Sequence, residues 1–183
     1  MKRFQLGQDL DTTPPRSWEI FFAESFNKEL CQTLNLNEHE ILNFEEDDKL
    51  LKVSRRYVTN REVPKAIKRM TGAKTLGYTT HEIYDKELNS LDWTFIPLIF
   101  EEDVKGKGKI VSEPLPGGRV RRSFAGLIDA DVPFIGEKLE ARLSEVIAES
   151  FQKGSALMRK YVAMDVKTLA DGGELQPMPR ISK

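Results

Sequence analysis

One cysteine, two histidines and a net charge of only −1, from 28 Lys+Arg against 29 Asp+Glu, are the first things this chain of 183 residues shows. Each shortage excludes something. A single thiol, Cys31, cannot close an internal disulfide and fits a reducing compartment. So few histidines and cysteines leave no set of zinc ligands, and no metal or other cofactor is expected. Balanced charge supplies no bulk field toward nucleic acid, so no nucleic-acid partner is expected either. No run approaches the roughly 20 apolar residues that span a bilayer. Lys2 and Arg3 lack the apolar stretch that follows the basic start of a secretory leader. With 39% apolar residues the chain can still bury a substantial core. A soluble cytoplasmic protein is the expectation.

Catalytic motifs are missing as well. Gly72–Thr79 (GAKTLGYT) has the spacing of a phosphate-binding loop, but Tyr78 stands where the lysine must be and the segment runs into a strand. His81–Asp85 (HEIYD) imitates the zinc-protease helix, yet Asp85 replaces its second histidine and the stretch alternates like a strand. There is no Gly-x-Ser-x-Gly, and Cys31 has no histidine beside it in sequence.

What the sequence does have is strong periodicity. A short strand over Arg3–Leu10 precedes a helix that Thr12 or Thr13 can cap, with prolines just inside its start. Trp18, Phe21, Phe22 and Phe26 bury much of that helix, and Leu30 and Leu34 extend it or begin another. A hairpin follows with Asp47-Asp48 at its turn, then a short helix with Val63, Ile67 and Met70 that Gly72 stops. Four consecutive strands come next, Lys74–Lys86, Ser90–Phe100, Lys105–Val111 and Arg119–Asp131, the last two separated by SEPLPGG. From Ile135 to Val162 apolar residues keep a 3/4 spacing, a helix roughly 40 Å long. Ser150 and Gly154 interrupt its stripe and allow either close approach or a gap. Residues 164–183 offer few apolar anchors, so the division is one domain over 1–163 and a loosely held tail over 164–183.

This order resembles the START-like (Bet v 1-like) helix-grip superfamily, and within it the DUF2505 family of unknown function. Three segments carry the likeness: REVPKAIKRMTGAKTLGYTTHEIYD, the passage VKGKGKIVSEPLPGGRVRRSFAGLIDADVPFIGEKLE with Val132, Pro133, Gly136 and Glu140, and the long helix after it. They are packing and turn residues. The resemblance implies an α+β fold, a curved antiparallel sheet of about seven strands around a long C-terminal helix, with one or two short helices after the first strand. It also implies a cavity between sheet and helix, and a carrier for a hydrophobic ligand such as a lipid or polyketide-like molecule.

Alternation supplies a candidate lining. Val120, Arg122, Phe124, Gly126 and Ile128 share one face of the last strand, while Asp129 and Asp131 share the other, as a solvated pair or an acid/base pair. The expected cavity set is Arg55, Tyr57, Tyr78, His81, Trp93, Phe95, Arg122 and Phe124 from the sheet, with Phe151 and Leu157 from the helix. Apolar walls with sparse polar groups suit a small hydrophobic molecule, with Arg122 or Arg55 anchoring a polar head. The alternative is an ordinary core: if Trp93, Phe124 and Phe151 touch and fill the interior, no compartment remains. The strand Leu91–Phe100 is apolar on both faces, so its far face should be covered by the tail or a partner, or form an exposed patch. Lys65, Lys68 and Arg69 form a solvated helix face or a transient contact with an anionic membrane surface. Beside the carrier stand two other readings. One is a cyclase or hydrolase using His81, Tyr78 or Asp129; the other is a co-chaperone-like interaction module using Leu91–Phe100. Ligand identity and oligomeric state are not legible.

Overall fold

Side-chain alternation gives the strands an inner and an outer face, and one long helix packs on the inner face along β1 and β7. The structure is a computed structural model and describes residues 1–182, apart from the side chains of Glu38 and Ala66. In chain order the elements are β1 (Lys2–Leu10), α1 (Pro14–Phe21), α2 (Glu24–Thr33), β2 (Leu36–Glu46), β3 (Leu50–Thr59), α3 (Lys65–Thr71), β4 (Gly77–Asp85), β5 (Ser90–Pro97), β6 (Val104–Leu115), β7 (Arg119–Ala130) and α4 (Gly136–Ala170). The seven strands form one antiparallel sheet in the order β1-β7-β6-β5-β4-β3-β2. The expected architecture therefore holds, including two short helices after the first strand.

Local chemistry explains the joins. Thr13 caps α1 ahead of two prolines, which lose nothing in a first turn whose N–H groups have no helical partner. Asp47 closes the β2–β3 hairpin by accepting from the N–H groups of Lys49 and Leu50. The sharp passage from β7 into α4 depends on Gly136, where a Cβ would stand 2.4 Å from the Ala130 carbonyl oxygen. Glu140 then accepts the Ala130 N–H at 3.1 Å. The Val-Pro-x-x-Gly-x-x-x-Glu passage thus seats a helix on a strand end. The β6–β7 turn is tighter than SEPLPGG suggested, because both strands pair out to Leu115 and Arg119.

Two expectations need correcting. α4 continues to Ala170, 35 residues and about 52 Å at about 1.5 Å per residue. The segment after it is docked. Ile181 is buried among Trp18, Phe22 and Tyr84, its N–H donates to the Phe22 carbonyl at 3.0 Å, and the Glu24 N–H donates to the Pro179 carbonyl at 2.8 Å. Arg180 pairs with Glu46. A single well-placed apolar side chain, with backbone bonds on both sides, replaces the many anchors the tail lacks. It covers the α1–α2 junction, which leaves the far face of β5 (Ile96, then Leu98) without the cover that was one of its three expectations.

The core has two parts. The second half of α4 contributes Leu157, Met158, Tyr161 and Val162 to a cluster with Leu10, Ile20, Phe26 and Val120. Across the middle strands Trp18, Phe22, Leu51, Val53, Tyr84, Leu91 and Trp93 form the other. Here glycine matters: Trp93, Gly108, Gly126 and Phe4 stand in one row across β5, β6, β7 and β1. The two missing side chains let the indole lie flat along the sheet.

Candidate functional site

α4 does not cover the sheet evenly. It packs along β1 and β7 and against α1 and α2, and among the described residues no Cα of α4 comes within 8 Å of any Cα in β2 to β6. Its own side chains record where cover ends. Leu157 and Tyr161, on the flank toward α2, are buried, with Tyr161 edge-on to Phe26 at 5.5 Å. Leu139, Leu143 and Val146 lie on that same flank by helical spacing, yet all three are only half-buried. α2 crosses α4 at Gly154, where the nearest neighbour of a Cβ would be Leu30, and beyond that crossing the flank is open.

The sheet offers an aromatic floor at the same end. His39, Tyr57, Tyr78 and Phe95 follow one another across β2, β3, β4 and β5 with ring centroids 5.0, 4.9 and 5.0 Å apart. Phe95 is in register with Gly106, which is in register with Ile128, two residues before β7 ends at the turn that leads into α4. Floor and helix flank thus stand at the same end of the sheet, and the region between them is the candidate basin. Among the described residues no Cα of α3, whose Met70 is exposed, comes within 8 Å of another element; α3 links β3 to β4 at this end.

Beside the ladder, further along the same face of β3 and β4, is a buried ion pair. Arg55 is 2% exposed and donates to Glu82 at 2.8 Å, to the Tyr57 hydroxyl at 3.3 Å and to the Asn27 side-chain oxygen. Thr80 donates to the other Glu82 oxygen at 3.0 Å. Burial alone would lower the pKa of Arg55, but Glu82 and Tyr57 outweigh it and the guanidinium stays charged. Arg122 is solved differently. It is buried between the Trp18 and Phe21 rings, 4.4 and 4.9 Å from their centroids, and donates to the Ser17 carbonyl at 3.3 Å. Among the described residues no carboxylate pairs with it, so burial pulls its pKa down to about 10. Both inward arginines were expected. Arg122 lies wholly against protein groups, and Arg55 gives both its terminal nitrogens to Asn27, Tyr57 and Glu82 while its buried Nε has no partner among the described residues.

The interior behind the basin is closed. Trp93 meets Phe124 at 5.3 Å and Phe124 stacks on Phe151 at 5.5 Å, so the touching aromatics named as the sign of an ordinary core are present. The packed aromatics close the space between sheet and helix midway along α4, and the half-buried flank residues lie toward the helix start. Leu157 belongs to the packed core. His81 faces the opposite side of β4 from Tyr78, exposed, with Nδ1 2.8 Å from the Ser54 hydroxyl. Asp129 also faces outward, 4.0 Å from the N-terminal amine. The three acid/base candidates Tyr78, His81 and Asp129 are therefore not brought together. Of the expected set, Tyr57, Tyr78 and Phe95 form the floor, Arg55 lies beside it on the same face, and Trp93, Phe124 and Phe151 form its closed back. Sequence reasoning missed Glu82, Asn27 and His39, and also the flank residues Leu139 and Leu143. The signal for Glu82 was its place on the inward face of β4.

Burial holds the Tyr57 and Tyr78 hydroxyls well above their ordinary pKa and pushes Tyr84 up to about 12. Free tyrosine ionises near about 10. Because the folded values are the higher ones, the stability they represent is complete below that pH and is lost as pH rises through the folded values. Tyrosinate absorbance should thus show these three ionising together with loss of the circular dichroism signal. Ionisation near pH 10 in still-folded protein would contradict their burial.

The sequence matches the family described as "Protein of unknown function (DUF2505)" over residues 6–162. No curated protein matches it directly. Among solved structures it is similar to the Zhui aromatase/cyclase from Streptomyces sp. R1128, with 12% identity, 94% of this chain and 99% of that one covered, and a TM-score of 0.62. It is similar to a START superfamily protein from Mycobacterium smegmatis at 10% identity, covering 88% and 97%, with a TM-score of 0.56. The protein TTHA0849 from Thermus thermophilus shares 14% identity over 89% and 98%, with a TM-score of 0.61. At such identities the likeness is one of fold: the START-like helix grip.

Proposed function

Because the chain belongs to the DUF2505 family and has the START-like fold, we propose that it binds a hydrophobic small molecule, lipid or polyketide-like, in the basin between the first half of α4 and the ladder of β3 to β5. The observation that carries this reading is the half-burial of Leu139, Leu143 and Val146 on the flank that is buried further along the helix. Covering that surface with an apolar molecule returns about 25 cal/mol per Å². The ladder supplies flat faces for an aromatic or polycyclic portion. Tyr78, half-buried at its centre, can hydrogen-bond a ligand oxygen at its hydroxyl. Arg55 is neutralised by Glu82, so among the described residues it offers the basin no unpaired charge for a carboxylate, which favours a ligand with a neutral polar end.

A cyclase-type reaction, the activity named for the Streptomyces neighbour, has less support here. It would need an acid or base in the basin besides Tyr78; His81 and Asp129 point the other way, and His39 at the end of the ladder has a buried Nε2 and a pKa lowered by burial.

Native mass spectrometry of the purified protein should detect a co-purifying hydrophobe that organic extraction removes. Leu143→Glu, placing a charge on the open flank, should keep the fold and lose that species. Wild-type protein that binds no hydrophobe, or binds equally well with Glu at 143, would refute the proposal.

A further inference from the structure

Phe134 stands wholly outside the protein, 102% exposed, in the turn between β7 and α4. Its φ is 67°, in the left-handed region that a bulky side chain enters only against strain. N–H groups of Ile135 and Gly136 donate to the Val132 carbonyl at 3.3 and 2.9 Å and hold the turn in place. A large apolar ring kept in water at a backbone cost calls for a surface role. Its surroundings are acidic. Asp131 and Glu137 flank it in sequence, and the Asp131 N–H donates at 2.8 Å to the carbonyl of Asp103, on the turn that also carries Glu101 and Glu102. Among the described residues none of the five enters an ion pair. Such a collar repels anionic lipid, so the ring is not suited to that surface.

A complementary socket lies on the outer face of the same sheet. Register sets Lys107, Leu127 and Arg3 side by side across β6, β7 and β1, with Lys109, Ala125 and Gln5 in the next row. The short side chain of Ala125, with the bare backbone of Gly108 and Gly126, leaves a depression of about 880 Å³ beside Leu127. Arg3, Lys107 and Lys109 stand on its rim, opposed there by one acid, Asp92, 3.5 Å from Lys109.

We infer that this chain self-associates by seating Phe134 of one copy in the outer-sheet depression of a second, acidic collar against basic rim. Knob and socket both belong to the β7 end of the sheet, so two copies can exchange them about a two-fold axis, which doubles the contact and closes the assembly as a dimer. The charges set orientation and rate, and the buried ring supplies the anchor.

Sedimentation velocity across the micromolar range tests this. The protein should show a monomer–dimer equilibrium that weakens as salt is raised. Phe134→Ser and Lys107→Glu, both at exposed positions, should each weaken it about tenfold or more. Combining Lys107→Glu with Asp131→Lys in one chain should recover most of the loss, because the charges are exchanged rather than removed. A monomer at every concentration, or a dimer indifferent to Phe134→Ser, would overturn the inference. So would a monomer that binds phosphatidylglycerol vesicles through Phe134.

Discussion

Glu82→Ala should cost roughly 3–5 kcal/mol of folding stability, because it leaves the Arg55 guanidinium charged, buried and without its carboxylate. With typical domains stable by only about 5–15 kcal/mol, that is a large share of the total. The loss measures an orphaned charge more than the worth of the pair. Removing both charges makes the point: Arg55→Met with Glu82→Leu should be cheaper than Glu82→Ala alone. The double variant still leaves the Asn27 side-chain oxygen without its donor, a residual cost of about 1–3 kcal/mol. Urea unfolding of the single and double variants decides the matter. A double variant as unstable as the sum of the two singles would show that the pair does not act as a unit.

Gly126→Val should be about as damaging, roughly 3 kcal/mol or more, for a steric reason. A Cβ there would stand 2.5 Å from Cζ2 of Trp93 and 2.7 Å from the Lys107 carbonyl oxygen. The indole would have to lift off the sheet, and its packing against Phe4 and Phe124 would go with it. Gly7→Ala, in the neighbouring strand, is the control: its Cβ would meet only the Arg122 carbonyl at 3.4 Å, and the change should stay within about 0.5 kcal/mol. Equal losses at the two positions would mean that strand glycine itself matters, rather than the room it gives Trp93.

These two sites show what alternation can and cannot reveal. Period-two reading turned Arg55 and Arg122 inward, and both are buried. It could not say what they would meet. The partner of Arg55 lies on β4, and whether Glu82 comes within reach depends on the β3–β4 register, which a single sequence does not contain. Alternation also sets His81 opposite Tyr78, so a cavity containing both needed a break in β4 that is not there. The long helix was legible from its spacing, but its end was not. The apolar stripe thins after Val162, and the last turns to Ala170 rest on partners such as Arg16, which holds Asp165 at 2.7 Å from 149 residues away. The docked tail was hidden for a related reason: a single isoleucine among prolines has no periodicity to read. Most consequential was the open flank. Leu139 and Leu143 carry the same 3/4 signal as Leu157, and only the place where α2 crosses α4 separates a packed residue from an uncovered one.

Binding depends on that uncovered stretch being a place where an apolar molecule settles. Methyl NMR during titration with a neutral aromatic probe such as 1-naphthol addresses it directly. Shifts should appear at Leu139, Leu143 and Val146, with Tyr78 and Phe95 responding in the aromatic region, while Leu157 and Val162 stay still. No response at those positions, or changes confined to Leu127 and Ala125 on the outer face, would contradict it.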